Sequence, residues 1–423
     1  MCFSQAFGLR AVPLLGPKTK TGALREPDCP RPPEFCNSLL LLSFTCALRP
    51  LTKAFLSWCA TLALLLRLYI LIEMADSRPT DPHGPASRRK SPGGPIDAHV
   101  HIVGNGSGGT GCWLRLGMFR RPMAALMLRH ARLPAKALRG NLDALYLSRL
   151  LEMVRGSSLA AVVILAQERV HDDRGIALEN AGAFYVPNQY VLRLGREHPE
   201  LLPAVSIHPA RADALDELEM CLEGGAVMMK CLPNCQNIDC NDRRFSKFWE
   251  RMAEAKLPLL AHTGGEHTLP IVRSEYSDPR RLKLPLECGV TVIAAHCATK
   301  SGLTDPEYFH HFVEMTRQFP NLYGDNSAFT VPIRGRHVPE CTREPLANRL
   351  IHGSDFPVPV YGHFPWLRGF IDWETFRRCE RETNVLERDY QLKRGMGFPS
   401  ESFTRLWKLL RLPTQATAGA PAI

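Results

Sequence analysis

The feature that most constrains the fold is a series of eight short apolar segments that alternate with amphipathic stretches. These segments are rich in β-branched residues and occupy residues 96–103, 159–166, 202–208, 226–232, 257–263, 290–297, 322–326 and 349–354. Several are almost continuously hydrophobic, which is typical of parallel strands that are covered on both faces. Between them, stretches with one apolar face, such as 143–155, 243–256 and 306–319, predict helices. Eight successive βα units predict an α/β protein whose strands close into a TIM-like (β/α)8 barrel.

Two parts of the chain extend this plan. The interval between the first two segments is too long for one βα unit, so residues 104–141 are predicted to be an insertion in the first βα loop. That loop lies on the face where barrels carry their active sites. Residues 373–392 and 401–410 predict two helices that close the bottom or the side of the barrel, or contact a second copy in a homodimer. The predicted barrel therefore spans residues 96–410.

Histidine, lysine and aspartate recur at the C-terminal ends of the apolar segments. His99 and His101 lie on the first segment, and because residues i and i+2 of a strand share a face, both imidazoles can reach one cation. The later strand-end residues are Lys230, His262, His296 and Asp355. Burying any such group without a partner is unfavourable, and the C-terminal ends of barrel strands converge on one mouth. The pattern therefore indicates one shared polar site.

The order of these residues resembles the amidohydrolase superfamily, which has His-x-His on strand 1, Lys on strand 4, His on strands 5 and 6 and Asp on strand 8. The segments Met-Lys-Cys-Leu-Pro-Asn at 229–234 and Leu-Pro-Leu-Leu-Ala-His-Thr-Gly at 257–264 are similar to its amidohydrolase-related branch. The resemblance spans residues 96–400. It implies a distorted (β/α)8 barrel with one or two divalent metal ions, commonly zinc.

The resemblance also implies a role for each strand-end residue. The implied metal ligands are His99, His101, His262 and Asp355. His296 would be a ligand of a second metal or a group that polarises the substrate. Lys230 would be either a carboxylated ligand that bridges two ions or an ammonium group beside one ion. One ion is common in the branch most similar to this chain, so we expect one ion with Lys230 outside its coordination.

The chemistry of the donors independently suits a metal-dependent reaction. Imidazole and carboxylate ligands favour Zn²⁺, Mn²⁺ or Fe²⁺, and we expect zinc. Such an ion lowers the pKa of a bound water to about 7, and Asp355 can accept the proton while His296 hydrogen-bonds the electrophilic oxygen. Lys230 and basic loop residues can bind a carboxylate of the substrate. The sequence therefore predicts a hydrolase of an amide, ester or lactone of a small acidic molecule.

Two other functions remain open at this stage. A decarboxylase of an aromatic or conjugated acid would be a lyase that uses the same ligands. A barrel without activity would serve only as a binding module, although four convergent ligands argue against it because packing alone does not require them. The charge of +10 is not accompanied by a nucleic-acid-binding motif, so we expect a small-molecule substrate and no nucleic acid.

Several other motifs are weaker. The Gly-x-Gly-x-x-Gly at 104–109 lacks the acidic residue about 20 positions later that a dinucleotide site needs, which favours a flexible loop. The thiols at 231, 235 and 240 are predicted to be loop cysteines, with a three-thiolate metal site as the alternative. His208 ends the third segment, His267 follows the fifth, and both are candidates for the substrate pocket.

Residues 1–95 differ in character from the barrel. The apolar run at 54–72 has about the length that crosses a bilayer, but it contains Arg67. Met74 opens a polar leader, so we hypothesise that residues 1–73 come from a misassigned start and that the protein is cytoplasmic. A membrane anchor at 54–72 is the alternative. The 14 Cys include no Cys-x-x-Cys pair, which favours reduced thiols, and the tail at 411–423 is predicted to be disordered.

Overall fold

The computed structural model describes residues 93–412, apart from residue 119. Met74, the apolar run at 54–72 and the tail beyond residue 412 lie outside the described residues. The described strands, in chain order, are β1 (Ile96–His101), β2 (Trp113–Leu114), β3 (Ala161–Leu165), β4 (Phe184–Tyr185), β5 (Leu201–Val205), β6 (Met228–Cys231), β7 (Leu259–Ala261), β8 (Val292–Ala294), β9 (Leu322–Asp325) and β10 (Leu350–Ile351).

Eight of these strands form one parallel barrel. Their order is β1–β3–β5–β6–β7–β8–β9–β10, so each strand pairs with the next barrel strand along the chain. The last strand then meets the first: the Ala98 amide donates to the His352 carbonyl at 2.9 Å, and the His101 amide donates to the Phe356 carbonyl at 2.8 Å. This closure confirms the predicted TIM-like (β/α)8 barrel.

The apolar side chains of the strands divide between the inside and the outside of the barrel. Inside, Ala98, Val163 and Leu260 are fully buried in one cluster that Leu406 and Leu410 complete. The Trp407 indole N–H donates to the Gly94 carbonyl, just before β1, at 2.8 Å. The C-terminal segment therefore closes the barrel at the N-terminal ends of its strands, one of the two positions predicted for it.

Helices cover the outside of the barrel. They are α1 (Arg121–His130), α2 (Leu142–Arg155), α3 (Asn188–Glu197), α4 (Ala214–Glu223), α5 (Pro233–Gln236), α6 (Ser246–Glu254), α7 (Lys283–Glu287), α8 (Phe309–Gln318), α9 (Val338–Cys341), α10 (His363–Leu367), α11 (Trp373–Arg381) and α12 (Val385–Gly395). Within the described part of the chain, no helix has the length and apolarity that crossing a bilayer requires.

The C-terminal helices differ from the prediction in detail. The predicted helix at 373–392 is two helices, because Asn384 accepts hydrogen bonds from the amides of Leu386 (3.2 Å) and Glu387 (3.4 Å) and so begins α12. The predicted helix at 401–410 is instead a pair of 3₁₀ turns, Ser400–Phe403 and Arg405–Lys408.

The insertion after β1 is organised by one carboxylate. Asp143, in the first turn of α2, accepts hydrogen bonds from the amides of Asn105 (2.6 Å) and Gly106 (3.2 Å) and from the Thr110 hydroxyl (2.5 Å). A Cβ at Gly104 would lie 2.7 Å from Asp143 Oδ1, so only glycine permits this approach. The glycine-rich segment at 104–109 is therefore a turn whose backbone amides bind the Asp143 carboxylate.

Candidate active site

The two histidines of β1 meet at the C-terminal mouth of the barrel. The distance between His99 Nε2 and His101 Nε2 is 3.2 Å. His99 is buried and His101 is partly exposed. Burial and the nearby Lys230 lower the pKa of His99 to about 4, so its ring is neutral near pH 7. The structure thus brings two ring nitrogens of one strand to a single point.

Asp355, which follows β10, completes this contact. Its Oδ1 lies 3.3 Å from His99 Nε2 and 3.4 Å from His101 Nε2, and its Oδ2 lies 3.9 Å from His296 Nε2. Burial alone would raise the pKa of Asp355, but the imidazoles of His99 and His296 bring it well below its usual range. The carboxylate is therefore ionised and lies between the β1 pair and a third imidazole.

His296 and His262 extend the group on neighbouring loops. The ring centroid of His296 lies 5.3 Å from that of His99 and 5.2 Å from that of His262. Burial lowers the pKa of His262 to about 3 and that of His296 well below its usual value. Both rings are therefore neutral near pH 7, which is the form that binds a metal.

Lys230 lies on the inner side of the histidine pair. Its Nζ is 3.1 Å from His99 Nε2, and the residue is fully buried on β6. Burial lowers the pKa of this amine, and the charges of Asp325 and Asp355 oppose that change. The position is compatible with both predicted roles, a ligand after carboxylation or an amine beside the ion.

Two site residues have a left-handed backbone. The φ angle is 58° at His296 and 64° at Asp355, a region that costs a residue with a Cβ about 1–2 kcal/mol. Hydrogen bonds to groups distant in sequence hold both: the His296 amide donates to Asp325 Oδ1 at 2.6 Å, and the Asp355 amide donates to the His99 carbonyl at 2.9 Å. Such backbone conformations are concentrated at functional sites.

The residues present fit a divalent cation. The ligand atoms of His99, His296 and Asp355 all lie within 4.8 Å of one another. Among the described residues, His262 Nε2 is one of the buried atoms without a hydrogen-bond partner, which is unfavourable unless another group binds there. Neutral imidazoles with one carboxylate are the donor set of zinc and related metals.

Two predicted pocket residues lie elsewhere. His208 borders a separate polar cavity of about 200 Å³ together with Asp172 and Asn237. The His267 side chain is 52% exposed, and its Nε2 lies 3.0 Å from Asp305. The structure does not bring either histidine into the His99–His101–His296–Asp355 group.

Three residues that the sequence patterns did not single out adjoin the site. Glu266 Oε2 lies 3.7 Å from His262 Nε2. Asp325 Oδ2 lies 2.8 Å from His99 Nδ1, and this aspartate ends an apolar segment, which is the signal that located the other strand-end residues. Arg334, the first residue of a short 3₁₀ helix after β9, is buried and had no comparable signal.

Comparison with known proteins gives a consistent family match. A family model described as amidohydrolase matches residues 96–380. No curated protein matches the chain. Among solved structures, an uncharacterised TIM-barrel protein from Bordetella bronchiseptica is 17% identical, with a TM-score of 0.47 and 72% of this chain and 99% of that chain covered.

Two further solved structures are similarly distant. A provisionally assigned 2-pyrone-4,6-dicarboxylic acid hydrolase from Pseudomonas putida is 13% identical, with a TM-score of 0.45 and 75% of this chain and 98% of that chain covered. An amidohydrolase 2 from Bifidobacterium longum subsp. infantis is 16% identical, with a TM-score of 0.38 and 72% of this chain and 99% of that chain covered.

Proposed function

Because this chain belongs to the amidohydrolase family, we propose that it is a metal-dependent hydrolase of an amide, ester or lactone of a small acidic molecule. The observation that carries the proposal is the position of Asp355. One of its oxygens contacts both β1 imidazoles, and the other lies toward His296. A carboxylate with one oxygen among the ligands and one left over can both hold a metal and move a proton.

The residues that would hold the ion are those whose side chains meet at the C-terminal mouth of the barrel. His99, His101 and Asp355 would be ligands, His296 would offer a further one, and His262 adjoins them at the same mouth. One ion, zinc by preference of the donors, is the expectation. When bound, it would polarise a substrate oxygen and lower the pKa of water.

Asp355 would act as the general base and then the general acid of the reaction. Because its pKa lies well below the usual range, it is ionised near neutral pH and can accept a proton from the attacking water. The same oxygen can then return that proton to the leaving group. The hydrogen bond from its amide to the His99 carbonyl, 2.9 Å long, keeps the carboxylate at the β1 pair.

A buried arginine supports an acidic substrate. Arg334 donates hydrogen bonds to the carbonyls of Thr299 (3.0 Å) and Gly265 (2.7 Å), and none of the described carboxylates forms an ion pair with it. A buried guanidinium whose only partners are carbonyls still has N–H groups for an anion. The two carbonyls belong to residues three positions after His296 and His262, so the guanidinium lies against the loops that carry these histidines.

The ribbon of β2 and β4 covers the same mouth. The Phe184 ring meets His101 edge-on with a centroid distance of 6.4 Å, and Trp113 stacks on Tyr185 of the paired strand. An aromatic cover of this kind limits the access of water, which strengthens electrostatic interactions inside the site. The contact with His101 comes from β4, which follows β3, and β2 of the first-loop insertion adjoins it by pairing with β4.

The test is an activity panel with zinc-loaded protein. Esters, lactones and amides of small carboxylic acids are assayed for hydrolysis product, and aromatic and conjugated acids are assayed for CO₂ release. We expect hydrolysis, and we expect Asp355→Asn to lower it by at least about 100-fold because a positioned acid–base group contributes that much. CO₂ release without hydrolysis would replace the proposal by the decarboxylase alternative, and wild-type rates in Asp355→Asn would remove the proton role.

A further inference from the structure

A single buried carboxylate lies behind the metal-binding faces of two imidazoles. Asp325 is fully buried at the end of β9, and its two oxygens accept from different groups. Oδ2 meets His99 Nδ1 at 2.8 Å. Oδ1 accepts from the amides of His296 (2.6 Å) and Ser327 (3.1 Å), and the Ser327 hydroxyl also donates to it.

This network determines which nitrogen of His99 carries the proton. Because Oδ1 accepts from two backbone amides and a hydroxyl, these donors hold the carboxylate in its ionised form, and Oδ2 can only accept. His99 Nδ1 must therefore carry the hydrogen. Because a neutral imidazole has only one N–H, His99 Nε2 presents its lone pair to the point where His101 and Asp355 meet.

The same carboxylate acts on His296 through Ser327. The Ser327 hydroxyl hydrogen is used in the bond to Asp325 Oδ1, so Ser327 Oγ, 2.7 Å from His296 Nδ1, accepts from that nitrogen. The Ser327 carbonyl, 3.2 Å from the same nitrogen, can likewise only accept. His296 Nδ1 therefore carries its hydrogen as well, and its Nε2 lone pair lies toward Asp355 Oδ2.

We propose that Asp325 is the positioning residue that sets the tautomers of His99 and His296 together, so that two Nε2 lone pairs face one cation. The proposal rests on the metal site of the proposed function, but it assigns a role to a residue that would contact neither metal nor substrate. One carboxylate thereby prepares ligands from β1 and from the loop after β8.

The decisive variant is Asp325→Asn. The oxygen of the new amide is retained where three donors converge, which leaves the NH₂ group facing His99 Nδ1. That nitrogen must then become an acceptor, and His99 switches to the tautomer whose N–H points at the metal position. Loss of such a partner lowers metal affinity by about 10–100-fold, so we expect a loss in that range for zinc.

Ser327→Ala is the matched control. It removes the hydroxyl but retains the Ser327 carbonyl as an acceptor for His296 Nδ1–H, so the His296 tautomer is preserved. We therefore expect a smaller loss of zinc affinity than in Asp325→Asn. Circular dichroism of both metal-free variants establishes that the barrel is folded.

The experiment measures zinc affinity by competition with a chelating indicator, and the visible spectrum of the cobalt-substituted protein reports the ligand field. A loss of about 10-fold or more in folded Asp325→Asn, with an altered cobalt spectrum, supports the role. Equal zinc affinity in wild type and folded Asp325→Asn overturns it and leaves the proposed function intact, whereas a wild type that binds neither metal removes the proposed function itself.

If Asp325→Asn does not fold, nitrogen-15 NMR of the imidazoles in the metal-free wild type decides: Nδ1–H on both rings supports the role, and Nε2–H on either ring overturns it.

Discussion

The loop that carries Asp355 is held from below by a buried ion pair, and breaking this pair should destabilise the barrel. Lys393 on α12 is fully buried, and its Nζ donates to Asp389 Oδ2 and to the Gly353 carbonyl, each at 2.6 Å. Gly353 lies two residues before Asp355. The pair therefore links the outer helix layer to the end of β10.

The size of the effect follows from burial. Replacing Lys393 by Met leaves the Asp389 carboxylate buried without a counter-ion, and removing one partner of such a pair costs about 3–5 kcal/mol. At about 2 °C per kcal/mol for a barrel of this size, the melting temperature should fall by roughly 6–10 °C. Burial already raises the pKa of Asp389 to about 7, although Lys393 opposes the change. Protonation of Asp389 removes the unpartnered charge, so the loss should be smaller below pH about 6 than at pH about 8.

The assay is thermal unfolding of the metal-free protein, with a surface pair as control. Lys283 and Glu287 on α7 have the same spacing along a helix and lie 3.4 Å apart, but both side chains are at least half exposed. Lys283→Met should change the free energy of unfolding by less than about 1 kcal/mol. If Lys393→Met and Lys283→Met shift the melting temperature equally, burial does not govern the cost and the reasoning is refuted.

Four further outcomes are expected. Gly353→Ala should reduce the zinc content measured by mass spectrometry, because its Cβ would lie 2.9 Å from His99 Cβ and 3.4 Å from Asp325 Oδ2; full zinc content would contradict this. Arg334→Met should raise the KM for acidic substrates by about 10-fold or more, since a hydrogen bond to a charged group contributes about 1.5–3 kcal/mol, while leaving uncharged esters less affected; equal changes for both would remove the anion-binding role. His267→Ala should leave kcat/KM within about 2-fold of wild type, because surface substitutions away from special features are usually within ±0.5 kcal/mol, and a larger change would place this exposed histidine at the substrate. Removing the metal with a chelator should lower the melting temperature, and zinc should restore it; an unchanged value would indicate that no ion binds the folded state.

The barrel could be predicted because its strands are buried on both faces and are therefore continuously apolar. Every residue of Ala161–Leu165 is buried, and the hydrophobic run in the sequence has nearly the same limits. Strand ends were less predictable. The strand predicted at 290–297 ends at Ala294, because the residues that follow have a left-handed backbone. The Asp325 carboxylate stabilises that backbone by accepting from the His296 amide. The sequence of that loop does not indicate that its His296 amide will bond Asp325, which lies 29 residues away.

The residues of the candidate site likewise differ in how well the sequence predicts their contacts. His99 and His101 share a strand face, so their contact follows from local geometry alone. Asp325 is a single acid at the end of a strand. Its contact with His99 could not be predicted, because it depends on the closure of the barrel. Arg334 begins a four-residue 3₁₀ helix, Arg334–His337, which is too short for an apolar periodicity to predict burial, so its position could not be derived from spacing.

The meeting of β1 with the residues after β10 has a consequence for synthesis of the protein. His99 and Asp355 are separated by most of the barrel sequence, and the hydrogen bond between the Asp355 amide and the His99 carbonyl is part of the same junction that joins the first strand to the last. During translation, the histidines leave the ribosome long before the aspartate does. If the proposed metal site forms, high-affinity binding would therefore wait until the final strand docks, because a nascent or truncated chain that ends before Asp355 has the four histidines of the site but not its carboxylate ligand. On the proposed function, metal binding would thus mark the last step of folding, and chains arrested earlier should bind the ion weakly.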